Sequence, residues 1–146
     1  MSPEAECHAA ILLIAHGSRS EAANAELREL ARSLQEREPT AAVEIAYLEL
    51  AEPTIPQGVA ACLKHRPRQV RLLPYFLSAG VHVTRDLEDH RARFQEERPD
   101  VDFVLCPPIG LHPLMLDILQ DRLHAAQTPN LSQTESPGDT GQNEYD

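Results

Sequence analysis

Four short apolar runs, separated by segments whose apolar residues recur at helical spacing, limit the folds open to this chain more than any other feature. The runs are AILLIA (10–15), VEIAYL (43–48), QVRLLPYF (69–76) and VDFVLC (101–106). Each has the length of a strand and falls far short of the roughly 20 apolar residues a membrane helix needs. Between the first two, Leu27, Leu30, Ala31 and Leu34 fall at i, i+3, i+4 and i+7, which predicts a helix over 20–38 that Pro39 ends. A second helix is expected from Thr54, whose hydroxyl can cap it while Gln57 reaches back and Pro56 fills the first turn; Val59, Ala60 and Leu63 would face the sheet. A third is expected over about 84–97, with Leu87, His90, Arg91 and Phe94 on one face and Asp86 and Glu88 in a first turn that favours acids. The last begins near Pro113 and would carry Met115, Leu116, Leu119 and Leu123 inward.

Strand followed by helix, four times over, implies a parallel sheet, because parallel neighbours need crossovers and here the crossovers are helices. The expected fold is α/β: a single small doubly wound domain with a four-stranded parallel sheet in the order 2-1-3-4 and no evident internal duplication. At 146 residues the chain is long enough to bury a core without disulfides or a structural metal. Its expected parts are an N-terminal extension (1–9), the domain proper (10–126) and an acidic tail (127–146). The tail is polar, rich in turn formers and too poor in apolar residues to offset its ordering entropy, so disorder is expected there.

Composition excludes several functions. A formal net charge of −10 speaks against a general nucleic-acid binder, which needs a basic face for phosphates. The first residues lack the basic and long apolar regions of a signal peptide, and three scattered cysteines, Cys7, Cys62 and Cys106, suit a reducing compartment better than a disulfide framework. A cytoplasmic protein without membrane attachment is expected, and the cysteine spacing gives no support to a thiolate-bound zinc or iron–sulfur centre.

In an open α/β sheet, ligands sit beyond the carboxyl ends of the strands where the winding reverses, which for this order lies between the first and third strands. His16 follows the first strand and His82 follows the third, so topology brings imidazoles 66 positions apart to one crevice. Two such imidazoles can serve as a metal site, an acid–base pair or a phosphoryl acceptor. Gly17 and Gly80 beside them permit close approach of backbone to a ligand. Glu49 and Glu52 stand at the carboxyl end of the second strand, where a carboxylate can accept from ring N–H groups or help hold a metal. Arg19 and Arg85, with Arg91, would put cations near the crevice and suit an anionic ligand. His8, His65, His90 and His124 share no spacing and read as surface or capping residues, with His112 less settled.

HGSR from His16, YLELAEP from Tyr47, PYFLSAGVHVTRD from Pro74 and PIGLHP from Pro108 occur in order. Together they resemble the short-type sirohydrochlorin chelatases, relatives of the ATP-independent tetrapyrrole chelatases. The resemblance implies insertion of Co(II), Ni(II) or Fe(II) into sirohydrochlorin on the way to cobalamin, coenzyme F430 or siroheme, with no permanently bound cofactor and with two copies of the chain paired as a homodimer. By matching positions, His16 would be metal ligand and proton acceptor and His82 the second ligand. Glu52 with Leu77, Ser78, Ala79, Gly80, Val81 and His82 would bind the substrate, and Arg19 would face its carboxylates. A histidine phosphatase would need an arginine where Ala15 stands, and no GxSxG elbow of an α/β-hydrolase exists. A non-catalytic metal or tetrapyrrole carrier using the same two histidines is the remaining alternative.

Overall fold

The computed structural model describes residues 7–126; the expected disorder of 127–146 lies outside them. Elements alternate β1 (Ala9–Ala15), α1 (Glu21–Arg37), β2 (Ala41–Tyr47), α2 (Ile55–Leu63), β3 (Gln69–Pro74), α3 (Val81–Glu97), β4 (Asp102–Leu105) and α4 (Leu114–Ala125). The four strands form one parallel sheet in the order β2-β1-β3-β4, as expected. The register pairs Ala15 with Tyr47 and Ile14 with Pro74, so β1, β2 and β3 end level with one another and their following loops share one edge.

Central strands buried on both faces need continuous apolar sequence, and β1 supplies it: Ala10 through Ile14 are all buried. On one face Leu12, Ile14, Val70 and Leu72 meet Ile55, Val59 and Cys62 of α2 and Leu87 and Phe94 of α3. On the other, Leu13 and Tyr47 meet Leu27 and Ala31 of α1. Gly58 lets α2 lie close on the sheet, since a Cβ there would stand 2.7 Å from Leu12 Cδ1 and 2.9 Å from Ala46 Cβ. No helix among the described residues is long and apolar enough to cross a membrane.

The capping box at Thr54 and Gln57 forms as anticipated. Three helical details differ. α3 starts at Val81 rather than near Thr84, so His82 sits in its first turn while Asp86 and Glu88 lie beyond it. In α2, Cys62 rather than Ala60 turns to the sheet. α4 buries none of its residues: Leu116, Leu119 and Leu123 are exposed rather than inward. Residues 112–126 group apart from the unit ending at Leu111, and there Nδ1 of His112 accepts from the Leu114 N–H at 3.1 Å.

A repeat that composition did not reveal emerges from the hydrogen bonds. Gln35 near the end of α1 donates to the Ala41 carbonyl and accepts from the Val43 N–H. Gln95, 60 positions later in α3, does the same to Val101 and Phe103. Both helices have 17 residues, and each is followed by a proline, Pro39 or Pro99, at the same offset. β1–α1–β2 and β3–α3–β4 are thus two copies of one unit, with α1 and α3 on opposite faces of the sheet.

Candidate functional site

The edge formed by the carboxyl ends of the strands holds the expected residues. β1 delivers His16 directly. Its carbonyl accepts from the Glu49 N–H at 3.0 Å, which ties the loop after β1 to the loop after β2. Its ring leans on Phe76, centroids 4.4 Å apart and planes at 45°, while Phe76 itself is buried at the end of β3. An imidazole resting one face on a phenyl ring keeps its polar edge toward solvent; His16 is exposed.

Gly17 makes that turn possible. Its φ is +94°, and a Cβ there would fall 1.9 Å from the Glu49 carbonyl oxygen. Gly80 is different: it caps α3 at φ −61° with open space where a side chain would go. Its lack of a side chain answers to nothing inside the fold and leaves bare backbone at the crevice.

Leu77, Ser78 and Gly80 are exposed and Ala79 is partly so; Val81 and His82 are exposed in the first turn of α3. Ala79 and Val81, with Thr84, Arg85, Glu88 and Asp89, line an open hollow of 430 Å³. A second hollow of 360 Å³ lies beside it, between Leu48 and the Asp86, Asp89, His90 and Arg93 side of α3. Glu49 and Glu52 are exposed in the loop after β2. Arg19 and Arg85 are exposed without a charged partner among the described residues. Arg91 is not part of a free rim: Glu88 binds its guanidinium at 2.6 Å, and the pairing holds the Glu88 carboxyl below its ordinary range.

The fold therefore sets His16 and the 77–82 segment after adjacent strands at one edge, with the Glu49 N–H hydrogen-bonded to the His16 carbonyl. Among the described residues no group of three or more His, Cys, Asp or Glu side chains is gathered as a metal cage. His65 is taken by Glu44 at 2.9 Å, and His90 packs on Phe94. His16 after β1 and His82 in the first turn of α3 are both exposed, and two imidazoles alone complete no metal's coordination sphere.

One residue of the site escaped the sequence: Asn24 in α1, 7% exposed, whose amide bonds both backbone groups of Ser18. Its signal was faint. Asn24 shares the stripe of Leu27 and Ala31, where a polar side chain has to find buried partners.

A doubly wound parallel sheet with an imidazole in the loop after β1 and another in the first turn of the helix after β3 defines a small α/β protein with an open site at its switch point. Residues 10–126 match the family model described as CbiX, and the chain belongs to the CbiX family. It is 32% identical over 113 residues to a sirohydrochlorin ferrochelatase, chloroplastic, of Arabidopsis thaliana, covering 77% of this chain and 50% of that one. It is also 32% identical to a sirohydrochlorin cobaltochelatase of Methanocaldococcus jannaschii, covering 77% and 96%. Among solved structures, the sirohydrochlorin chelatase SirB of Bacillus subtilis subspecies spizizenii in complex with cobalt superposes with a TM-score of 0.74 at 28% identity, covering 80% of this chain and 50% of that one. The chain thus spans about half the length of some relatives and nearly all of another.

Proposed function

We propose that this protein inserts a divalent metal ion into sirohydrochlorin without ATP, releasing two pyrrole protons, with Co(II), Fe(II) and Ni(II) as the candidate metals, and that residues 10–126 act as one chelatase domain. The observation that carries the reading is the placement of His16 and His82 after adjacent strands at one open edge, in a family whose relatives bear chelatase names. Insertion needs a metal stripped of part of its hydration shell and a base for the ring protons, and imidazole serves both needs. In this reading His16, steadied by Phe76, is ligand and proton acceptor and His82 is the second ligand. Glu52 and the 77–82 segment receive the macrocycle, and Arg19 and Arg85, which have no charged partner among the described residues, face its carboxylates. The low ligand count fits a metal that is substrate and must leave with the product.

The exposed leucines of α4 support pairing of two copies. Leu116, Leu119 and Leu123 fall at i, i+3 and i+7 and are each about 60% exposed, a stripe that water does not favour. We assign a second copy of this chain as its cover, and place the protein in the cytoplasm, where its three free thiols stay reduced.

Anaerobic absorbance spectroscopy of sirohydrochlorin with Co(II) or Fe(II) tests the function. Conversion of many equivalents per protein is expected, and loss of conversion in His16→Ala and in His82→Ala with folding retained. Saturation at one equivalent would make the protein a carrier, and parental rates in both variants would remove the histidines from the chemistry.

A further inference from the structure

The loop carrying His16 is held by a side chain that has no chemistry of its own to offer. Asn24 is the only buried side chain among the described residues that is polar or charged, aside from the tyrosine hydroxyl it works with. Its Nδ2 donates to the Ser18 carbonyl at 2.7 Å and its Oδ1 accepts from the Ser18 N–H at 3.0 Å, so one amide reads both backbone groups of a single residue. Its own carbonyl accepts from Tyr47 Oη at 2.7 Å, which fixes this turn of α1 to the last residue of β2. Ser18 is engaged a third time, its hydroxyl accepting from the Ser20 N–H at 3.0 Å. From the other side the Glu49 N–H holds the His16 carbonyl. Only Gly17 separates the latched Ser18 from His16, and Gly17 is closed in against Glu49.

A metal ligand on a loop is only as well placed as the loop, and partners that orient a ligand are worth as much to affinity and rate as many direct contacts. We propose that Asn24 is a positioning residue, its amide clamping the backbone of Ser18 so that His16 presents its ring to the crevice in one orientation. This rests on the reading of His16 as ligand and proton acceptor. The clamp needs an amide, because only that group donates and accepts at once in this geometry; a carboxylate would face the Ser18 carbonyl oxygen with another oxygen.

The structure supplies a matched control. Gln35, on the same helix at the opposite end of the sheet, also uses its amide to donate to and accept from backbone, at Ala41 and Val43. Asn24→Asp and Gln35→Glu therefore make the same chemical change near and far from the crevice. Cobalt insertion into sirohydrochlorin is measured for both, with urea midpoints and the His16 ring resonances by NMR. Asn24→Asp is expected to lower kcat by about 10- to 100-fold with KM for the macrocycle within about twofold, and to shift or broaden the His16 ring signals. Gln35→Glu, destabilised to a similar degree, should keep parental kcat and unshifted His16 signals. Asn24→Ser, which is too short to reach both groups, gives the same reading if Asn24→Asp does not fold. Unchanged His16 signals and kcat in the Asn24 variants, or equal losses in Gln35→Glu, would overturn the inference. His16→Ala run alongside separates the two claims: parental insertion by that variant would overturn the functional reading of His16, whereas the ring signals judge the clamp by itself.

Discussion

Replacing Gly17 by alanine should cost more than any other single methyl added to this chain. Two effects combine. The φ of +94° lies where an L-residue carries backbone strain of roughly 1–3 kcal/mol. The added Cβ would also stand 1.9 Å from the Glu49 carbonyl oxygen, with the Glu49 carbonyl carbon at 3.1 Å and Tyr47 Cβ at 3.2 Å. The first of those distances requires backbone to move by an ångström or more, and overpacking of this kind costs roughly a further 1–3 kcal/mol. The sum, about 2–6 kcal/mol, is a large part of the 5–15 kcal/mol by which a domain is ordinarily stable. The displaced group is moreover the one whose N–H holds His16 in place, so stability and function should fall together. Urea unfolding followed by circular dichroism, with a parallel insertion assay, measures both. Gly17→Asn separates the causes, since asparagine tolerates positive φ but still carries the clashing Cβ. If the clash dominates, both variants fall within about 1 kcal/mol of each other. A Gly17→Ala protein destabilised by less than about 1 kcal/mol and fully active would refute the reasoning.

Gly80→Ser should behave oppositely: a Cβ there meets nothing within 4 Å and serine can cap α3, so thermal stability should rise by a few tenths of a kcal/mol while insertion slows if the macrocycle rests on that backbone. Leu87→Ala removes a side chain only 1% exposed beneath α3 and should cost about 2–5 kcal/mol in urea titrations. Burial, and secondarily Arg93, hold the His90 imidazole below its ordinary value against the opposing pull of Asp86 and Asp89. Unfolding then takes up a proton, so this stability is present above the ordinary histidine value near 6.5 and is lost as pH falls below it; melting scans from pH 7.5 to 5.5 should show a steeper loss in the parent than in His90→Gln. Burial, followed by the Glu44 and Cys7 charges, pushes the Cys62 thiol up to about 12, so a thiol reagent should label Cys7 well before Cys62 in the folded protein.

Strand order and the placement of His16 and His82 were legible because they follow from pattern and topology: four apolar runs joined by helices leave few arrangements, and each arrangement fixes which loops meet. What was not legible depended on tertiary partners. The start of α3 was missed because Gly80, Val81 and Val83 are poor helix formers, and it is the packing of Leu87 and Phe94 that carries the helix past them. The leucines of α4 have helical spacing, but spacing cannot say whether a stripe faces its own core or another molecule. Arg91 read as a free cation because its commitment to Glu88 and to the Phe103 carbonyl is visible only in three dimensions. Asn24 drew no notice in the sequence, although its place on the Leu27–Ala31 stripe carried the information.

The repeated unit explains why the two sides of the crevice differ. At matching positions 60 residues apart stand His16 and Phe76, Ser18 and Ser78, Ser20 and Gly80, Asn24 and Thr84. In the first copy the helix is capped by a serine side chain and the loop is clamped through Asn24, Ser18 and Glu49. In the second the cap has no side chain, and Leu77, Ser78 and Ala79 show no hydrogen bond among the described residues. One scaffold thus supplies a fixed loop at His16 and an unclamped one at 77–79, which in the proposed chelatase reading are the ligand and the receiving segment. The matching aromatic position has become a support: Phe76, buried where its counterpart is an exposed imidazole, turns its ring to that imidazole. A fixed His16 favours reproducible metal geometry, whereas a loop free of internal bonds can adapt to a flat macrocycle as it arrives and leaves. Rigidifying the second loop should therefore slow product release more than chemistry, and a pre-steady-state burst appearing in Gly80→Ser would be the sign of it.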